Sequence, residues 1–143
     1  MTTKENFPNL LLVEDDFVLQ SVLETALSDE GFEVVAASSG QAALSELDDG
    51  STQFRALITD IRLGKGPSGW DVARQSREKF PGVPVIYMSG DSVHEWSAHG
   101  VPESIMLQKP FVIAQLITAL ATLLNQATNA TALSNAMPGD SNA

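Results

Sequence analysis

A chain of 143 residues is long enough to bury one core without cross-links, and it has no cysteine with which to make any. Its 18 acidic and 8 basic side chains leave a net charge of −10, a balance that disfavours direct binding to nucleic acid or to an anionic membrane surface. No apolar run approaches the roughly 18 residues needed to span a bilayer, and residues 1–6 carry no apolar signal core, so a cytoplasmic protein in reducing surroundings is expected.

The first apolar run, Leu10, Leu11, Leu12 and Val13, leads into three acids, Glu14, Asp15 and Asp16. Residues 17–29 then place Val18, Leu19, Val22, Leu23, Ala26 and Leu27 at helical spacing, which predicts a helix with one buried face, stopped by Gly31. A second strand is expected over 32–37, followed by a short helix capped by Ser38 or Ser39 and ending before the turn Asp48, Asp49, Gly50. The run Ala56, Leu57, Ile58, Thr59 is too short for a helix, and it ends abruptly in Asp60. A loop with three glycines and a proline over 63–69 precedes a helix expected over 70–80, closed by Pro81, Gly82 and Pro84. The fourth strand runs from Val83 to Ser89, a weak helix follows over 92–99, and a fifth strand over 105–108 delivers Lys109 and Pro110. Pro110 is expected in the first turn of a last helix reaching about Asn125.

Strands alternating with helices, each pair taking some two dozen residues, predict a doubly wound α/β fold with a parallel sheet. The expected architecture is a (βα)5 flavodoxin-like domain with five strands in the order 2-1-3-4-5, which sets strands one and three side by side at the switch point. The domain is read as 9–125, with a lead over 1–8, a flexible tail over 126–143 and no output domain. From Pro110 to Gly139 there is no Asp, Glu, Lys or Arg. Val112, Ile113, Leu116, Ile117, Leu120, Leu123 and Leu124 cannot all face one sheet, which points to a partner or a second copy on the last helix.

In such a fold the carboxyl edge of the sheet faces a ligand crevice. Glu14, Asp15 and Asp60 would converge there, with Ser89 and Lys109 arriving from the neighbouring strands. Crowded carboxylates repel one another, and hard oxygen donors without histidine or cysteine suit Mg2+. Asp60 is then an oxygen nucleophile aimed at phosphorus, with Lys109 and Ser89 placed to contact the phosphoryl oxygens.

These residues resemble the receiver domains of two-component response regulators. The resemblance runs from about Asn9 to Asn125 on an ordered set of motifs: Leu12-Val13-Glu14-Asp15-Asp16, Ile58-Thr59-Asp60, Tyr87-Met88-Ser89-Gly90 and Gln108-Lys109-Pro110-Phe111. It implies that Glu14 and Asp15 are the metal-binding acidic pair, Asp60 the phospho-acceptor, Ser89 the hydroxyl switch residue, Lys109 the family's lysine, and the Arg62 carbonyl a further metal ligand. It also implies Mg2+ as cofactor and a sensor histidine kinase or histidine phosphotransfer protein as phosphoryl donor. On this reading the chain is a single-domain response regulator with no enzymatic activity beyond self-directed phosphotransfer and autodephosphorylation. It would signal in trans through a partner protein or a relay.

Three positions depart from the family pattern. Met106 stands where an aromatic switch residue is usual, Gly64 stands where proline often follows the acceptor, and the last helix is unusually apolar. An alternative reading is a receiver-like interaction or dimerisation domain that is never phosphorylated. A phosphatase of the haloacid-dehalogenase type also uses a strand-end aspartate, but its second aspartate two residues on is replaced here by Arg62. Asp16 reads as a helix cap, His94 and His99 as surface residues, and Trp70 and Trp96 as packing residues. Arg62 and Asp91 are expected to pair across the site and screen it.

Overall fold

The computed structural model describes residues 9–136. Five strands, β1 (Asn9–Val13), β2 (Glu33–Ala37), β3 (Ala56–Asp60), β4 (Val85–Ser89) and β5 (Ser104–Gln108), form one parallel sheet in the order β2-β1-β3-β4-β5. The intervening helices are α1 (Phe17–Asp29), α2 (Gly40–Asp49), α3 (Gly69–Lys79), α4 (Trp96–His99) and α5 (Ile113–Ala136). The expected fold class and strand order are those observed.

Right-handed crossovers cover both faces of such a sheet, so the central strands are apolar on both sides. Leu10, Leu12, Ile58, Ile86 and Met88 pack against Leu23 and Leu27 of α1 and Leu116 and Leu120 of α5. Leu11, Val13, Leu57, Val85 and Tyr87 point the other way, toward Leu47 of α2 and Trp70, Val72 and Ala73 of α3. Asp16 caps α1, accepting the N–H groups of Val18 and Leu19 at 3.0 and 3.2 Å. Ser39 caps α2 by accepting the Ala42 N–H, and Gly50 ends that helix in the left-handed conformation. Ser68 and Asp71 close a reciprocal capping box at the start of α3.

Three expectations need correction. The buried face of α1 is Gln20, Leu23 and Leu27, whereas Val18 and Val22 are 71% and 49% exposed. Apolar spacing alone could not foresee that a glutamine would be turned inward to serve backbone carbonyls. Pro110 does not lie in the last helix; it follows a cis peptide bond after Lys109, and α5 begins at Ile113. The Val112 N–H is received by the Gln115 side chain, which acts as the cap. The weak helix expected over 92–99 is a 3-10 turn, Val93–Glu95, followed by the single turn of α4. α5 continues past Asn125 to Ala136 as a backbone helix. The expected lead and the last part of the expected tail, 1–8 and 137–143, lie outside the described residues.

Candidate functional site

β1 and β3 are neighbours in register, Val13 opposite Thr59, so the residues that follow them emerge together at the carboxyl edge. One carboxylate oxygen from each of Glu14, Asp15 and Asp60 lies within 4.8 Å of the others. Glu14 and Asp60 are buried and Asp15 is exposed. Lys109, delivered by β5, reaches into this cluster: its Nζ donates to Glu14 Oε1 at 2.9 Å and to Asp60 Oδ2 at 3.1 Å. Asp60 Oδ1 accepts the N–H of Ile61 at 2.8 Å, and Glu14 Oε2 accepts that of Asp16 at 3.1 Å. Asp60 therefore presents a carboxylate whose two oxygens are held in separate, defined directions.

Burial pushes the Glu14 carboxyl up to about 7. The hydrogen bonds from Lys109 and the Asp16 N–H oppose that rise, and the Asp60 charge adds to it. For Lys109, burial pulls the other way, but its bonds to Glu14 and Asp60 prevail and hold the ammonium above the usual lysine range. One ammonium thus serves two carboxylates, and Asp15 adds a third acid at the rim. An all-oxygen donor set of this kind, crowded and only part neutralised, fits a hard divalent cation that keeps several of its waters.

Ser89 ends β4 one residue beyond Met88, the register partner of Asp60, and is 1% exposed. Its Oγ accepts the N–H groups of Asp91 and Ser92, so it organises the loop that leads to α4. The expected pairing of Arg62 with Asp91 is present, Nε to Oδ2 at 2.8 Å, across two exposed side chains. His94 and His99 are surface residues lying 3.9 Å from Glu95. Met106 sits in register with Tyr87, and Tyr87 is fully buried against Trp70, with ring centroids 4.7 Å apart. Tyr87 lies one strand inward of Met106, on the same face of β4 as Ser89.

Two residues that position the site carry no motif. Gln20 donates to the carbonyls of Glu14 and Ala37 at 3.0 and 3.3 Å, tying the acidic loop to β2. The signal available in sequence was a lone amide at helical spacing from Leu23 and Leu27. Gly69 starts α3 against the Asp60 backbone, and a Cβ there would run into the Asp60 carbonyl.

A doubly wound parallel sheet with clustered acids, a hydroxyl and a lysine at its carboxyl edge is the arrangement of a receiver-type signalling domain. The chain belongs to the response regulator receiver domain family, whose model matches residues 10–121. It is 36% identical over 112 residues to a response regulator receiver protein of Anaeromyxobacter sp. (strain Fw109-5), covering 78% of this chain and 43% of that protein. Among solved structures it is similar to a response regulator receiver protein from Sinorhizobium medicae WSM419. That match has 44% identity and a TM-score of 0.83, and it covers 86% of this chain and 98% of that one. It is also similar to the receiver domain of the sensor histidine kinase PA1611 from Pseudomonas aeruginosa PAO1, described with a magnesium ion coordinated in the active site cleft. The identity there is 26% and the TM-score 0.71, over 83% of this chain and 98% of that one. The chain spans about half the length of the curated relatives it matches. Among the described residues no helix is long and apolar enough to cross a membrane. Receiver domains are phosphorylated on aspartate in two-component signalling, bind Mg2+ at an acidic pocket, and pair with histidine kinases or phosphotransfer proteins.

Proposed function

We propose that this protein is a cytoplasmic response regulator that takes a phosphoryl group from a phosphohistidine onto Asp60 and signals in trans through a partner protein. The observation that carries this reading is the convergence of Glu14, Asp15 and Asp60 at a sheet edge, with one ammonium bonded to Glu14 and Asp60. In the transfer, a carboxylate oxygen of Asp60 bonds to phosphorus as the bond from phosphorus to the imidazole nitrogen breaks, and the imidazole leaves with that electron pair and takes up a proton. Glu14, Asp15, Asp60 and the Arg62 carbonyl would hold Mg2+. When bound, the ion lowers the repulsion between these acids and an incoming phosphoryl group. Lys109 neutralises one phosphoryl oxygen, and Ser89 donates its hydroxyl to another.

The donor is a sensor histidine kinase or a histidine phosphotransfer protein. Signalling follows as a population shift, because the phosphorylated site contacts Ser89 and Lys109 differently in the two arrangements. Self-association is assigned to α5, where Ile113, Ile117 and Leu124 are half-buried, and to Val112 just before it, which is 63% exposed. Light scattering with and without a phosphoryl mimic tests that assignment, and a monomer in both states would remove it.

The test of the acceptor reading is intact mass after incubation with acetyl phosphate. With Mg2+ the chain is expected to gain one phosphoryl group, and with excess chelator none. No gain in either condition, together with no Mg2+ binding by titration, would favour a receiver-like interaction domain that is never phosphorylated.

A further inference from the structure

The Ser89 hydroxyl has one proton to donate, and in this structure that proton has a destination. Ser89 is buried, so its O–H must find a partner inside the protein. Its oxygen already accepts two backbone N–H groups, from Asp91 at 3.2 Å and Ser92 at 2.8 Å, and its O–H is aimed at Asp91 Oδ1 at 3.4 Å. That oxygen of Asp91 also receives the Ser92 hydroxyl at 3.0 Å, while Oδ2 is held by Arg62 Nε at 2.8 Å. Asp91 is thus the shared acceptor for the Ser89 and Ser92 hydroxyls and for the Arg62 guanidinium.

We infer that Asp91, anchored by Arg62, is a positioning residue that competes with the phosphoryl group for the Ser89 hydroxyl and so sets how readily the site leaves its resting arrangement. The inference rests on Asp60 being the acceptor. A phosphoryl group on Asp60, one strand away, offers new anionic oxygens, but a single O–H serves either Asp91 or the phosphoryl group. Arg62 has two effects here: it fixes the competing carboxylate in place, and it cancels much of the repulsion that carboxylate would exert on the incoming anion. Asp91 therefore weighs on the equilibrium mainly through Ser89. Because Asp91 is more than half exposed, removing its side chain leaves the core intact.

The test is a double-mutant cycle on the full chain, measuring beryllofluoride affinity in the presence of Mg2+ for the parent, Asp91→Ala, Ser89→Ala and the double variant. The loop N–H groups that lose their acceptor when Ser89 becomes alanine are common to both members of that background, so their cost cancels in the comparison. With Ser89 present, Asp91→Ala is expected to tighten binding about threefold, the lower end of what one hydrogen bond contributes, because the contact is long. In the Ser89→Ala background the same change is expected to shift affinity by less than about twofold. Equal tightening in both backgrounds would mean that Asp91 acts only through its charge, and no tightening in either would mean that it does not compete; both overturn the inference. A parent that binds no beryllofluoride removes the acceptor reading, and this inference with it. A parent that binds normally while the cycle is flat removes the competition alone.

Discussion

β1, β3 and β4 lie at the centre of the sheet with nearly every residue buried, whereas β5, at the edge, buries only Ser104, and the helix that precedes it is a single turn with no buried residue. The central strands bring Glu14, Asp15 and Asp60 together, and displacing them would mean disturbing two apolar layers. The edge is held differently. The Trp96 indole N–H donates to Ser104 Oγ, that hydroxyl donates to the Val101 carbonyl, and the Val101 N–H donates to the Tyr87 hydroxyl. Hydrogen bonds of this kind contribute about 1 kcal/mol each, less than the packing they replace. The acids are therefore positioned by rigid strands, and the side that would present a signal rests on contacts that can be exchanged without opening the core.

Among the described residues Lys109 joins the edge to the central acids, and removing it has the largest expected effect. Lys109→Ala leaves Glu14 and Asp60 facing each other without their shared cation, and an unpaired buried charge of this kind costs about 3 kcal/mol. Urea unfolding without metal is expected to show that loss, with the gap to the parent narrowing when Mg2+ is added. Gln20→Ala acts inside the rigid half. It strips a donor from the Glu14 and Ala37 carbonyls, at a cost of about 2 kcal/mol, and weakens Mg2+ binding because the acidic loop is then tied to β2 by the Glu14 N–H bond to the Ala37 carbonyl alone.

A pH dependence sharpens the same contrast. The Glu14 carboxyl stands at about 7 in the folded chain against an ordinary 4.5, so the folded state holds a proton there that the unfolded state releases. Without metal, stability from this group therefore falls as pH rises from the lower value to the higher, and is unaffected by it at more acid pH. Lys109 and Asp60 are the groups facing it, and Lys109 is held above the usual lysine range. Mg2+ needs the carboxylate form, so its affinity is expected to be about tenfold weaker at pH 6 than at pH 8. Calorimetric titration at the two pH values checks it. The smallest effect belongs to the edge. Trp96→Phe removes one hydrogen bond from a part-exposed side chain, so it is expected to cost about 1 kcal/mol or less in thermal unfolding and to leave Mg2+ affinity unchanged.

The order of strands and the residues at the sheet edge were legible because apolar runs ending in Glu14, Asp60 and Ser89 obey a period and a topology rule that sequence carries directly. Asp16 as a cap was legible from local spacing, and the Arg62 to Asp91 pair because each lies two residues beyond a strand-end residue, Asp60 and Ser89, on neighbouring strands. Gln20 was not. On an apolar stripe a single glutamine reads as an exposed gap, and its burial follows from where the ends of β1 and β2 leave their carbonyls. The start of α5 was misplaced because Pro110 is compatible with a first helical turn, and only the side chain of Gln115, folding back on the Val112 N–H, shows where the helix begins. Met106 read as a lost switch residue, and its pairing with Tyr87 across the β4–β5 register needed the sheet itself.

The central claim is that Asp60 is the acceptor, and the most direct measurement locates the phosphoryl group. After reaction with acetyl phosphate and Mg2+, borohydride reduces an aspartyl phosphate to homoserine, which peptide mass spectrometry then places in the sequence. Homoserine at position 60, absent from Asp60→Asn, is the predicted result. Homoserine at Asp15 or Asp16 instead, or equal labelling of Asp60→Asn, would contradict the account.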